Sequence, residues 1–371
     1  MSNSISYLEN HLCKYFGRKH CILTGRCTSA IYISLKALDL NKGKVALPTI
    51  VNPSPANAIL YAGLEPVFCD INLSDYTIDT VSLEQLIKRE HNLKAIIAVH
   101  IFGQPADMDK ILKIAKTNGL PVIEDAAQAL GGKYRGKVVG SFGDISVVSF
   151  AHTKIIDAGL GGAVLTDNDA FASRLKEEVQ KLPEVPVQLN ELFEDYRRAY
   201  YTLKSLTEKS PRLNVLFKQI PYIFKDMYLF QINEEISEKI LKEIGNLERN
   251  VAIRKENASY YQRRLTHPVI THPIYNEEGV FWRYSFLLKG DLQKRVSEKM
   301  RQEGFDISNW YPPLHHWYES GQLQDRNLFK NADYFAAHVC NLWTEPSQSK
   351  ERIRDTINAL LKIINDGNLN E

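Results

Sequence analysis

The first 170 residues alternate between short apolar runs and stretches of helical spacing. The runs KHCILT, KVALP, PVFCDI, KAIIAVH, LPVIED, ISVVSF and GAVLT hold few polar positions, so they predict strands covered on both faces. Between several of them, Thr28 to Leu38, Pro55 to Tyr61, Ser82 to Lys88 and Asp107 to Thr117 repeat apolar residues at helical period. This alternation predicts a mainly parallel central sheet sandwiched by helices. Ligands of such sheets gather beyond the carboxyl ends of the strands.

The pattern changes from about Leu175. Residues 190 to 265 are charged and helical in period, with no clear strand. VFWRYSFLL predicts a short strand near Val280, and helical patterns follow over Gln293 to Glu303 and Lys350 to Ile364. The expected organisation is α/β: a large domain over residues 1–235 and a smaller C-terminal α+β domain over 236–371, joined by a long helix. The aromatic stretch PYIFKDMYLFQI, residues 221 to 232, carries only Lys225 and Asp226 as charges. That suits burial in the core or a subunit interface better than a helix lying on a membrane.

Composition narrows the classes of function. A formal net charge of +2 gives no electrostatic argument for nucleic acid or an anionic membrane. Cys13, Cys21, Cys27, Cys69 and Cys340 are scattered without a CxxC pair, so neither a disulfide framework nor a zinc site is implied. The N-terminal stretch lacks a secretory apolar region, and no apolar run nears the roughly 18–20 residues of a membrane span. The expected location is the cytoplasm.

Three strand ends carry polar chemistry. LTGRCTSA, Leu23 to Ala30, opens a helix whose first amides suit an anion, although Thr or Ser there equally serves as an ordinary cap. VIEDAAQALGG places Glu124 and Asp125 directly after a buried strand, where alternation lets only one of them face a site. That carboxylate could hold a metal, a ribose or a protonated ring nitrogen, or cap the next helix. SFAHTKIIDAGLGG places Lys154 five residues after Ser149 and ahead of a glycine-rich turn. Anion donors, a carboxylate and a lysine at one sheet edge are the three parts that pyridoxal phosphate requires.

These residues resemble the DegT/DnrJ/StrS family of pyridoxal-phosphate-dependent sugar aminotransferases, of fold type I. The resemblance rests on TGRCTSAI, LEPVFCDINLSDYTID, AVHIFGQPADMDKI, GLPVIEDAAQALGGKYRGKVVGSFGDISVVSF and the Lys154 to Gly162 turn. It is dense over about residues 5 to 170 and weaker in the C-terminal third, through WYPPLH and Arg249 to Leu265. It implies that Lys154 forms the Schiff base with pyridoxal 5'-phosphate and later moves the proton. It further implies that Asp125 pairs with the ring nitrogen, that Gln128 contacts the ring, and that Thr28, Ser29 and Ser149 hold the phosphate. His100 matches a histidine of the family and serves either substrate or packing. Arg283, Tyr311 and His315 lie in two aromatic and basic segments that either pack or close over the substrate.

The sequence departs from the family pattern at three places. Asn52 stands where an aromatic residue normally covers the cofactor ring, Leu160 replaces the acid of G-E-G-G, and no G-N-x-R loop occurs in residues 180 to 240. The resemblance implies transamination of a keto sugar, nucleotide-linked, with an amino acid such as glutamate as donor, in a homodimer with active sites at its interface. Two rivals stand beside it. One is another pyridoxal-phosphate reaction, such as a dehydration or amination of a non-sugar ketone; the other is a scaffold without turnover.

Overall fold

The computed structural model describes residues 4–40, 42–318 and 326–368. The seven apolar runs form one sheet. Its strands are β1 (His20–Thr24), β2 (Lys44–Pro48), β3 (Glu65–Cys69), β4 (Leu93–Val99) and β5 (Val122–Asp125); β6 (Lys133–Tyr134) and β7 (Lys137–Val138) form a separate small hairpin; β8 (Ile145–Ser149) and β9 (Gly162–Thr166) return to the large sheet. The order is β1-β9-β8-β5-β4-β2-β3, and the pairs β8–β5, β5–β4, β4–β2 and β2–β3 are parallel, while β9 runs antiparallel to both neighbours. Strands β5, β8 and β9 are buried at every position, as continuous apolar runs require when helices cover both faces.

The intervening helices fall where the periodicity puts them: Cys27–Ala37, Pro53–Tyr61, Thr80–Arg89 and Met108–Thr117. Side chains begin three of these precisely spaced segments. Asn52, Asp79 and Asp107 accept hydrogen bonds from the first-turn amides of Ser54, Val81 and Lys110.

A second apolar core sits around a three-stranded sheet of β10 (Ile270–Thr271), β11 (Arg283–Leu288) and β12 (Val339–Trp343). Helices Leu247–Arg264, Leu292–Gln302 and Lys350–Asn368 contribute Tyr261, Met300 and Leu360 to it. Between the two sheets the chain runs through helices Asp169–Gln180 and Leu189–Lys209, a set of short turns, and helices Glu234–Ile244 and Leu247–Arg264. In the aromatic stretch, Met227, Tyr228, Leu229 and Phe230 are buried, whereas Tyr222 and Ile223 are exposed.

Candidate active site

The carboxyl ends of β5 and β8 and the turn from β1 into helix Cys27–Ala37 meet at a cavity of about 120 Å³. Arg26, Thr28, Asp125, Gln128, Ser149 and Lys154 line it. An outer cavity of about 820 Å³ adjoins it, sharing Arg26, Asn52, Ser54, Ala151 and Tyr228 as wall. Close backbone packing fixes this meeting point. A Cβ on Gly162 would lie 2.6 Å from both Arg26 C and Cys27 N, so β9 approaches the helix start only because that residue is glycine.

The two acids of VIED take opposite roles, as strand alternation demands. Glu124 is fully buried. It accepts hydrogen bonds from the amides of Gly140, Phe142 and Gly143 at 2.6, 2.7 and 3.0 Å and from Ser146 Oγ at 2.9 Å. Burial pushes its pKa up, but His100 and the amides outweigh that and hold it at about 2. Glu124 therefore anchors the loop at residues 140–143. Asp125 faces the cavity, with Oδ1 accepting from Ala127 N–H at 2.9 Å. Burial raises its pKa, opposed by that amide and by the charge of Lys154.

Lys154 reaches the same cavity from a tight turn. Thr153 has φ +68°, an unfavourable left-handed conformation for a β-branched residue. The turn is held from both sides: Thr153 N–H donates to Asp157 Oδ2 at 2.8 Å, and Trp282 Nε1–H donates to Thr153 O. Among the described residues, Lys154 Nζ has no hydrogen-bond partner; it faces the Trp282 ring at 5.3 Å. Burial pushes its pKa down, more than the attraction of Asp125 raises it. A lysine so placed presents more of its neutral, nucleophilic amine.

The remaining expected residues divide. Thr28 and Ser149 line the cavity with Gln128. Gln128 Oε1 accepts from Phe102 N–H at 2.8 Å, and Nε2 donates to Tyr311 Oη at 3.1 Å. Asn52 lines both cavities, caps its helix at Ser54, and lies beside Tyr311. Tyr311 thus braces Asn52 and Gln128 from behind, within a stack of Phe102, Trp282 and Trp310.

Five expectations are corrected, the first being Tyr311, which is buried behind Gln128 and lines neither cavity. The Ser29 hydroxyl donates to Tyr228 O at 2.7 Å and does not line the cavity, so only its backbone remains at the helix start. His100 is fully buried, its Nδ1 accepting from Ala106 N–H and its Nε2 facing Glu124 at 3.0 Å, so it packs rather than meeting substrate. Arg283 is 1% exposed and sits between the Trp282 and Trp343 rings, paired with Glu345 at 3.0 Å, behind the cavity wall. His315 bonds Thr49 and is absent from both cavity linings.

Arg26 was missed. It lines both cavities, with its guanidinium over Phe230 at 5.9 Å. Its buried Nε has no hydrogen-bond partner, and no acid pairs with it among the described residues. Burial pushes its pKa down. The available signal was a cation at a helix N-terminus, where the dipole disfavours positive charge unless an anion joins it.

The cavity suits pyridoxal phosphate: an unpaired amine and a carboxylate share it, and the open helix start beside a partnerless guanidinium offers an anion site. These are the features of a pyridoxal-phosphate-dependent enzyme of fold type I. Residues 1–190 and 228–361 match the DegT/DnrJ/EryC1/StrS aminotransferase family, and the chain belongs to that family. The spore coat polysaccharide biosynthesis protein SpsC of Bacillus subtilis is 27% identical over 97% of this chain and 89% of its own length. GDP-perosamine synthase of Caulobacter vibrioides is 39% identical over 169 residues, 45% of each chain. Among solved structures, Helicobacter pylori PseC, an aminotransferase involved in the biosynthesis of pseudoaminic acid, superposes with a TM-score of 0.80 at 22% identity, covering 99% of this chain and 92% of that one. The Bacillus subtilis protein ntda, with bound cofactor PMP, gives 0.77 at 23% identity, over 98% and 78%.

Proposed function

We propose that this aminotransferase moves an amino group from an amino acid such as glutamate to a keto sugar, nucleotide-linked, in amino-sugar biosynthesis. The observation that carries the reading is the unpartnered Lys154 amine in one buried cavity with Asp125. When bound, pyridoxal phosphate supplies an aldehyde for amine exchange and a ring that draws electrons from the amine-bearing carbon.

The chain supplies the rest. Lys154 Nζ takes a proton from the donor's α-carbon and returns one to the sugar carbon in the opposite direction. Its lowered pKa leaves the amine free to act as base. Asp125 would hold the ring nitrogen in its charged form. The helix start at Cys27–Ala37, with Thr28, Ser149 and Arg26, would hold the phosphate. Trp282 packs its ring beside the Lys154 amine, at 5.3 Å.

The assignment extends to a homodimer with active sites at the interface. The helix whose Phe193 and Tyr196 line the outer cavity also exposes Tyr201 and Leu206, a surface suited to a second copy. Five scattered cysteines with no CxxC pair among them fit a reducing, cytoplasmic location. The chain would divide into a large cofactor-binding domain of residues 1–235 and a smaller one of 236–371.

The test is chemical. Borohydride reduction of the cofactor-loaded protein should fix the label on the peptide carrying Lys154, and purified protein should turn over glutamate with a nucleotide-linked keto sugar. A label on another lysine would sink the assignment.

A further inference from the structure

His315, His316 and Asp333 converge outside both cavities. His315 Nε2 and His316 Nε2 lie 3.3 and 3.0 Å from Asp333 Oδ1, and the three donor atoms are within 4.8 Å of one another. We propose that they form a zinc site, bound through two imidazole nitrogens and one carboxylate oxygen.

The separations carry the first argument. Donors about 2.0–2.1 Å from a tetrahedral zinc ion stand about 3.3 Å apart along each edge. The two histidine-to-aspartate distances match such edges. They do not describe ordinary hydrogen bonds. Asp333 Oδ1 is buried and has no hydrogen-bond partner, so neither ring N–H is aimed at it despite the short distance. A buried carboxylate oxygen left so is costly unless something else meets it. An ion in the space between the three donors satisfies it and uses the ring lone pairs.

The surroundings carry the second argument. A zinc-binding histidine normally donates its other ring N–H to an oxygen, which fixes the tautomer. His315 Nδ1 lies 2.9 Å from Thr49 Oγ1, an oxygen able to accept the Nδ1–H of the tautomer that offers Nε2 to the ion. The His315 ring is stacked on Phe329 at 4.0 Å, four residues before Asp333, so ring and carboxylate are held by adjoining elements. The side chains of His316 and Asp333 are 48% and 43% exposed, which gives the ion a path in and leaves room for a water as fourth ligand. Three protein donors with a water suit zinc better than magnesium or calcium, which take oxygen ligands.

The site would be a clamp rather than a second centre of chemistry. Leu314 N–H donates to Thr49 O, and Tyr311 reaches Gln128. An ion here would pin this stretch against helix Lys330–His338 and the Thr49 turn, fixing Tyr311 behind the cofactor cavity. The inference does not depend on the substrate proposed above.

Zinc chloride, added to cofactor-loaded protein previously stripped with a chelator, tests it. The expected result is uptake of about one ion per chain after dialysis, loss of at least about tenfold in affinity in both Asp333→Asn and His316→Ala, and intense visible bands of four-coordinate geometry with cobalt(II). No uptake by the wild type would overturn the site. So would weak six-coordinate cobalt bands, or equal uptake by the Asp333→Asn/His316→Ala double variant. The cobalt spectrum is read on the wild type, so it decides even where a variant fails to fold.

Discussion

The inner and outer cavities share a wall but are built differently. The inner one is made of strand ends and one helix start, and β5 and β8, whose ends supply Asp125 and Ser149, are buried and paired on both sides. The outer one takes a wall from helix Leu189–Lys209, through Leu189, Asn190, Phe193 and Tyr196. Most of that helix falls in residues 191–227, which the family match skips. The stretch also leaves Tyr201, Leu206, Val215, Leu216, Tyr222 and Ile223 exposed. A shared chemical step needs a rigid frame, whereas a substrate wall can vary without disturbing it. On the proposed function, cofactor chemistry belongs to the inner cavity and substrate choice to the outer one.

Changes to the inner cavity should therefore dominate. Asp125→Asn keeps the size of the side chain and loses its charge. A fall in turnover on the order of 10²-fold or more is expected, with substrate KM little changed, the scale of losing one preorganised electrostatic group. A variant within about threefold of wild type would remove Asp125 from the electronic role.

Arg26 lies on the shared wall, so it separates the two regions most directly. Arg26→Gln should weaken pyridoxal phosphate by about 10–100-fold, as a lost charge-assisted hydrogen bond implies, and leave the phosphate-free aldehyde pyridoxal unaffected. Titration followed by the visible band measures both. Unchanged pyridoxal phosphate affinity with a raised sugar KM would move Arg26 to the substrate side.

Tyr196→Ala should leave cofactor affinity within about twofold and raise the keto-sugar KM several-fold, the direction expected when uniform binding is lost. Equal loss of cofactor affinity would erase the distinction between the two cavities.

Asn52→Phe should have the smallest and most local effect. An aromatic residue there would cover the cofactor but would give up the cap on Ser54. A loss of about 1 kcal/mol in stability is expected from the cap. Asn52→Asp should retain it, and thermal unfolding of the two variants compares them.

The sheet was legible because each of its strands is a short apolar run whose period and flanking turns are local properties of the chain. Chain order alone brought Asp125, Ser149, Thr28 and Lys154 to the sheet edge, because each stands at or just past a strand end; their roles, and Gln128 altogether, came only through the family resemblance. Alternation also made clear that Glu124 and Asp125 must part, although not which one would face inward. What the sequence left open depends on partners distant in the chain. His100 is packed because Glu124, 24 residues on, takes its Nε2. Ser29 is lost to the site because Tyr228 O, 199 residues away, takes its hydroxyl. Arg283 is withdrawn by Glu345 and two tryptophans, and Arg26 matters because no acid arrives beside it. A residue type and its local spacing determine what chemistry a side chain can do. Only the long-range packing decides which polar atoms are already spent and which are left free for a ligand.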